Sequence, residues 1–285
     1  MITKIIACSD IHVPSYKGID ELKEVLSKFI VQCHDIISNE PGGAGSVRIV
    51  VAGDIFHNKT VITNESIMAV DWFFKELDKL CKTYVVIGNH DFNMENHDRA
   101  DSLTPLFEIG AYKQVVYLDR ELGYGSGIYE DGNVAFCLYS SFSGFAKPDI
   151  AMYRESKKGK KKAPNCYVGI IHGDVNGAIT VTNYVTEHGL DPSVFDGCDF
   201  VIAGHIHKRQ EIKRDGVPIV YCSSIKQRDY GESVSGHGFV LWSIYDDGDF
   251  EYRHVDVPND EGGYYILQVN GIEDIEQDKE EFFNY

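Results

Sequence analysis

Long apolar stretches are missing from this 285-residue chain: runs such as Ile5–Cys8 and Phe200–Ala203 end far short of the ~20 residues a membrane-spanning helix needs. A secretory leader is not expected either, because Asp10 cuts the first apolar run before a leader core could form. The seven cysteines are odd in number, scattered and without a Cys-x-x-Cys pair, which argues against a disulfide framework. They read as small core residues in a reducing, cytoplasmic setting. No repeat period is present, and the only low-complexity stretch is a short Lys/Gly tract. Positive charge is scarce, with 27 Lys and Arg against 44 Asp and Glu, a net of -17. What the chain does have is core material: 43% hydrophobic and 12% aromatic residues exclude disorder as the dominant state.

The negative balance is unevenly placed. Residues 246–285 hold thirteen acids against Arg253 and Lys279, a net of -11, which leaves about -6 for the first 245 residues. Within those lies a basic cluster, Arg154 to Lys162, with six cations and one acid. The distribution of charge, rather than its sum, therefore bears on an anionic partner. A phosphate-tracking loop and a solvated loop tip are both open readings of the cluster.

Short β-type runs recur at 4–8, 48–52, 84–87, 115–118, 134–139, 167–171, 200–203, 218–222, 239–244, 251–255 and 264–269. Several are apolar throughout, as strands covered on both faces should be. Ile19, Leu22, Val25, Leu26, Phe29, Ile30, Cys33, Ile36 and Ile37 follow a helical period, stopped by Pro41-Gly42-Gly43. A second helix is expected from an N-cap at Asn64 to Lys82, with Ile67, Val70, Phe74, Leu77 and Cys81 as its core stripe. Strand and helix alternate through the first 90 residues, which predicts an α/β sheet; the strand-rich second half predicts mixed or antiparallel pairing. Residues 1–257 read as one catalytic domain and 258–285 as an acidic C-terminal extension.

The chemistry gathers at the ends of the apolar strands. Ile5–Cys8 runs into Ser9-Asp10-Ile11-His12, and Ile49–Ala52 into Gly53-Asp54-Ile55-Phe56-His57. Tyr84–Ile87 runs into Gly88-Asn89-His90-Asp91. Val168–Ile171 leads to His172-Gly173-Asp174, and Phe200–Ala203 to Gly204-His205-Ile206-His207. Strand carboxyl ends are where open α/β sheets collect ligands, so these five segments should converge on one rim, with glycine permitting each sharp exit. They hold six of the eleven histidines. Each alone reads as an ordinary turn, but five in succession do not. Carboxylates, one amide oxygen and several imidazoles, with no thiolate, suit Mn(II), Fe or Zn better than Ca(II). His34, His97, His188, His237 and His254 lack a motif and read as structural or surface residues.

The series DIH, GDIFH, GNHD, HGD and GHIH resembles the calcineurin-like metallophosphoesterase superfamily, in order, over residues 4–207. The resemblance implies two mixed β-sheets packed as a sandwich and flanked by helices, with two divalent metal ions at the strand ends. It implies one metal on Asp10, His12, Asp54 and His207, and a second on Asp54, Asn89, His172 and His205, Asp54 bridging. His90 would then be a general acid or transition-state partner oriented by Asp91, with Asp174 a further candidate for supporting a ligand ring.

Three features are similar to one branch, the SbcD-type DNA double-strand-break repair nucleases. His57 follows the bridging acid by three residues, a place linked there to the DNA phosphate. The stretch KRQEIKRDGVPIVYCSSIKQRDYGES is similar to that branch's strand pair and acidic Gly-Glu, although Ser223-Ser224-Ile225 replaces the usual Gly-Ser-Pro. His254–Pro258 leading to 264–269 resembles the start of its capping domain, the remainder of which would lie beyond Tyr285, as in a truncated or reduced member. The branch implies a Mn(II)-dependent exonuclease or endonuclease acting on DNA, an SbcC-like ABC-type ATPase partner, and a cytoplasmic setting such as the nucleoid or a phage-infected cell. A homodimer is expected through Met68 and Trp72 on the second helix together with the adjoining Leu103–Ile109 segment. The rival readings are a protein or nucleotide phosphatase of the same superfamily, and a non-catalytic scaffold.

Overall fold

In the computed structural model, residues 1–59, 61–93, 96, 99–160, 162–214, 216–260 and 263–264 are described. Twelve strands form two six-stranded sheets. The first contains β1 (Lys4–Cys8), β2 (Val47–Ala52), β3 (Thr83–Val86), β4 (Val115–Tyr117), β11 (Gly238–Ile244) and β12 (Phe250–Asp256), in the order β12-β11-β1-β2-β3-β4. The second contains β5 (Gly127–Asp131), β6 (Val134–Tyr139), β7 (Cys166–His172), β8 (Phe200–Gly204), β9 (Gln210–Arg214) and β10 (Val217–Tyr221), in the order β5-β6-β7-β8-β10-β9. Each sheet has four parallel strands, β1-β2-β3-β4 in one and β6-β7-β8-β10 in the other, with antiparallel strands outside them. This is the expected sandwich of two mixed sheets, its second half more parallel than the short links suggested.

Alternation along the strands explains the layers. Ile6 and Cys8 of β1, with Ile49 and Val51 of β2, face α1 (Ile19–Asn39) and α2 (Asn64–Asp78). Ile5, Ala7, Val50 and Ala52 point the other way, into the core between the sheets, where they meet Phe136, Val168, Phe200 and Trp242. The outer face of the second sheet buries Tyr139, Ile171 and Tyr221 beneath connecting segments and Ile150. Three short helices complete the chain: α3 (Thr104–Ile109), α4 (Leu118–Glu121) and α5 (Ile150–Lys157). With both faces covered, the central strands carry no polar alternation, hence their legibility as apolar runs. β5 and β9 carry no such run, and both are edge strands. β9 nevertheless forms, with β10, the strand pair the resemblance implies. The expected strand at 264–269 lies outside the described residues except for Tyr264.

α2 corrects two expectations. Thr63, not Asn64, caps it, its hydroxyl accepting from the Ser66 N–H in a reciprocal capping box. Its buried stripe is Ser66, Ala69, Val70, Phe73, Phe74 and Leu77, while Ile67 is exposed. Trp72 is half-buried against the helix core, with Lys23 of α1 lying 5.6 Å from its ring centre, so it is not the open counterpart of Met68 that the helical spacing suggested.

The basic cluster also finds a place. Arg154 lies 3.6 Å from the Tyr167 ring centre and bonds Gly197 and Asp199; Lys157 pairs with Glu130 and Lys158 with Glu155. It precedes β7, whose far end carries His172, so about 20 Å of strand separates it from the metal-ligand rim.

Opposite the rim, a charge network joins the sheets. Arg48 Nε of β2 donates to Asp131 Oδ2 of β5 at 2.5 Å, and the Tyr84 hydroxyl of β3 donates to the same oxygen at 2.6 Å. Burial opposes ionisation, but these bonds and the Arg48 charge hold the Asp131 carboxyl below its usual range. A depressed folded pKa stabilises the fold above the unfolded value near 3.9 and ceases to do so as pH falls through the folded one. Asp131→Asn should therefore cost about 2 kcal/mol at pH 7, less than a fully buried pair because the site is partly open to water. Urea denaturation should show the gap to wild type narrowing below about pH 4.

Candidate metal centre

The two sheets approach most closely at the ends of β2, β7 and β8. A side chain at Gly88 would collide with the backbone and carboxylate of Asp54, and one at Gly204 with the Ala52 carbonyl. Neither glycine has a positive φ, so close approach, rather than a sharp strand exit, requires them. Left-handed backbone falls on four of the expected ligands: Asp10, His12, Asp54 and His205 have φ of 54°, 50°, 54° and 95°. Left-handed Asp and His are tolerated at about 1–3 kcal/mol each where the surroundings hold them, and such residues cluster at functional sites.

Two ligand clusters result. In the first, His12 Nε2 and His207 Nε2 stand 3.0 Å apart, with Asp10 Oδ1 at 3.9 and 3.5 Å from them and Asp54 Oδ2 3.5 Å from His12. In the second, His172 Nε2 lies 3.2 Å from both Asp54 Oδ1 and Asn89 Oδ1, and His205 Nδ1 lies 2.8 Å from Asn89 Oδ1. The two Asp54 oxygens thus face different clusters. Donor atoms of Asp10, His12 and His207 lie within 4.8 Å of one another, as do those of Asp54, His172 and His205 and those of His12, His57 and His90, a reach that one ion can bridge. Imidazole nitrogens, carboxylates and one amide oxygen, all pointing inward, fit two divalent cations. All seven residues expected as ligands are brought together.

The supporting bonds fix which atom each ring offers. His172 Nδ1–H donates to the Ala52 carbonyl at 2.7 Å, across the sandwich, leaving Nε2 as the ligand atom. His207 Nδ1–H donates to Glu232 Oε1 at 2.5 Å, again leaving Nε2. His205 presents Nδ1, its Nε2 lying 3.5 Å from Asp174 Oδ2. Asp10 accepts from Ser9 Oγ at 2.5 Å and from the His205 backbone N–H at 3.1 Å. Glu232 had no individual role at the sequence level; its only signal there was its place in the quoted Gly-Glu.

Burial alone would keep these rings neutral. For His207 the bonds to Asp10 and Glu232 outweigh it and raise the pKa to about 10; for His172 the Asp54 charge and hydrogen bond raise it to about 9. Burial prevails at His12, which falls to about 3. Asp10 and Asp54 sit below the usual carboxylate range despite burial, chiefly through His207 and His172. A divalent cation bound by these rings must displace any proton on the nitrogen it takes.

His57 and His90 stand beside the clusters, their rings stacked with centres 5.9 Å apart and each about 5 Å from the His12 ring (5.5 and 4.9 Å). His90 Nδ1–H donates to the His57 carbonyl at 2.5 Å, which leaves Nε2 as the atom able to exchange a proton with a substrate. Asp91 does not meet the His90 ring. Its fully buried carboxylate instead accepts from the backbone N–H groups of Ile55, Phe56 and Gly88, lashing the β2 and β3 exits together. Burial and the Asp54 charge push its pKa up to about 7. Its role is therefore to position the loops that carry Asp54 and Asn89, a correction to the expected ring orienter. His237 is buried and bonded to Ser224 and Ser233, whereas His188 lines the hollow beside His172 and His205. His97 lies outside the described residues.

Fold and donor set define a class: an α/β sandwich carrying divalent-metal ligands where its strands end. The chain belongs to the calcineurin-like phosphoesterase family, whose pattern matches residues 3–209. Over 270 residues it is 32% identical to the uncharacterized protein R555 of Acanthamoeba polyphaga mimivirus, covering 92% of this chain and 19% of that protein. It is 23% identical to the uncharacterized metallophosphoesterase YhaO of Bacillus subtilis, over 72% of this chain and 47% of the relative. The chain thus spans about a fifth and about half of the lengths of these relatives. In fold it is similar to GAP50, the anchor in the inner membrane complex of Plasmodium, with a TM-score of 0.53, 12% identity and coverage of 92% and 91%. A putative 5'-nucleotidase of Staphylococcus aureus gives 0.51 at 11% identity, covering 99% of this chain and 59% of that one. No helix among the described residues is long and apolar enough to cross a membrane.

Glu232→Gln keeps an acceptor for His207 but removes the charge behind the ring. By titration with Mn(II), it should weaken one of two sites by about 10–100-fold and leave the other unchanged.

Proposed function

We propose that this protein is a Mn(II)-dependent DNA nuclease that hydrolyses phosphodiester bonds with two metal ions and works in double-strand-break repair or recombination beside an SbcC-like ATPase. The observation that carries the reading is the stacked His57–His90 pair beside the His12 ring of the first ligand cluster. A phosphatase needs one imidazole beside its metals to protonate a leaving oxygen. A second, exposed on the rim and locked to the first through its own carbonyl, suits a diester whose chain continues past the scissile phosphate. The bound ions would polarise the phosphoryl oxygens and supply a nucleophile derived from water. His90 Nε2 meets the charge that develops on the phosphoryl or leaving oxygen. Asp10 and Asp54 offset metal charge while leaving the centre positive for an anionic diester. The oxygen-and-nitrogen donor set favours Mn(II) over Mg(II).

A homodimer is part of the proposal, on a revised surface. Ile62, Ile67, Met68, Pro105, Leu106 and Ile109 line an open groove of about 700 Å³ between α2 and α3. Met68 and Ile109 are 68% and 87% exposed there, an apolar patch that a second copy of this chain would cover. This groove replaces Trp72 as the centre of the face.

Reloaded with Mn(II), the metal-stripped protein should cut linear duplex DNA and a circular single strand faster than it turns over p-nitrophenyl phosphate, with Mg(II) restoring less. Turnover of the monoester alone would move the assignment to a phosphatase. His90→Asn should keep both metals and lose about 10²–10⁴-fold in rate. Met68→Glu should sediment as a monomer while the unaltered chain sediments as a dimer at tens of micromolar.

A further inference from the structure

After β10 the chain passes over the His207 side of the rim, and so far only Glu232 of this stretch has a role. Four residues earlier stands Arg228. Its backbone N–H donates to Glu232 Oε2 at 2.9 Å, while Glu232 Oε1 holds His207, so one carboxylate separates the Arg228 backbone from a metal ligand. The preceding residue is clamped as well. The Gln227 amide donates to the Glu232 and Tyr264 carbonyls at 3.0 and 2.9 Å and accepts from the Tyr264 N–H at 2.7 Å.

The Arg228 side chain, by contrast, has no carboxylate paired with its guanidinium among the described residues; it is partly buried, and its Nε is buried without a hydrogen bond. Glu232 and Asp229 are the nearest acids in effect, but Glu232 already spends its oxygens on His207, Ser224 and the Arg228 N–H. In the other direction the guanidinium lies within electrostatic reach of His12 and His57.

An arginine cannot shed its proton, and a buried cation without a partner is costly. The position worsens once the Asp10–His12–His207 cluster takes up a divalent ion, because like charges then face one another. Arg228 therefore works against metal binding and gains a paired anion when a phosphate enters from the same side. A guanidinium offers a planar fork of N–H donors whose natural match is a pair of oxygens on one phosphorus. We infer that Arg228 is a phosphate ligand of this centre, a third cationic contact that grips the substrate phosphoryl oxygens from the His57 side of the two metal sites. It remains protonated throughout, and no bond to it forms or breaks. Its contribution is to hold the phosphate and to meet charge as the trigonal-bipyramidal arrangement develops.

The test uses the full chain loaded with Mn(II) and needs no nucleic acid, so failure of the DNA assignment leaves it intact. Orthophosphate is titrated into the loaded protein by calorimetry, Mn(II) affinity is measured separately on stripped protein, and bis(p-nitrophenyl) phosphate reports turnover. Arg228→Met should weaken phosphate binding by about tenfold or more and lower kcat/KM by about 10²-fold. In the same variant Mn(II) affinity should rise several-fold, since a like charge is gone. Arg228→Lys should match wild type in Mn(II) affinity and recover part of the phosphate affinity, having the charge without the fork. A fall in Mn(II) affinity in Arg228→Met would mark a merely structural residue and overturn the assignment. Phosphate affinity within twofold of wild type at full metal loading would do the same, as would wild type that binds no phosphate.

Discussion

The hydrogen bond from His172 Nδ1–H to the Ala52 carbonyl ties one sheet to the other at the point where both run out. It requires β2 and β7 to end at the same height and Gly53 and Gly204, where a side chain would strike His172 Nδ1 or the Ala52 carbonyl, to carry none. Given that, Asp54 can turn one oxygen to each ligand cluster, and the histidines after β8 can reach across to Asp10 and Asn89. The core between the sheets, with Phe200 stacked on Trp242 at 3.9 Å, keeps the two layers in register behind this junction. The Arg48–Asp131–Tyr84 network closes the opposite end.

Ligand geometry is secured mainly by groups that are not themselves in either ligand cluster. Asp91 gathers three backbone N–H groups and so sets the exits that carry Asp54, Asn89 and His90. Glu232 sets the tautomer of His207, and Asp174 borders the far nitrogen of His205. Four of the ligands hold left-handed backbones that isolated chains disfavour. Strain of this kind persists only where neighbours over-determine it, and here those neighbours are hydrogen bonds between loops from both sheets.

One rim of the sandwich therefore carries all the chemistry on which the nuclease proposal stands, while the surfaces away from it have other properties. The lysine-rich stretch after α5 is separated from that rim by the length of β7 and is partly neutralised by its own acids. The apolar groove between α2 and α3 lies on the helical layer of the first sheet, apart from both ligand clusters. Arg228 is a cation of a different kind, drawn into the rim itself rather than displayed on the surface.

The sequence by itself determined the elements whose signal is local. Strands buried on both faces read as unbroken apolar runs, and the ligand residues announced themselves because each follows such a run with the same turn chemistry. The family pattern over 3–209 rests on those same five segments. β5 and β9 left no apolar trace, since neither has a fully buried side chain among the described residues. Only the tertiary structure decided what depends on partners distant in the chain. Asp91 serves backbone rather than the His90 ring because loops 36 residues apart meet there. Glu232 became a ligand's support because β10 returns beside β8. Trp72 was covered by a lysine of α1, and Ile67 turned outward, because the angle at which α2 rests on the sheet is fixed by packing and not by helical period. Periodicity says which residues share a face; contact with the rest of the molecule says which face is buried.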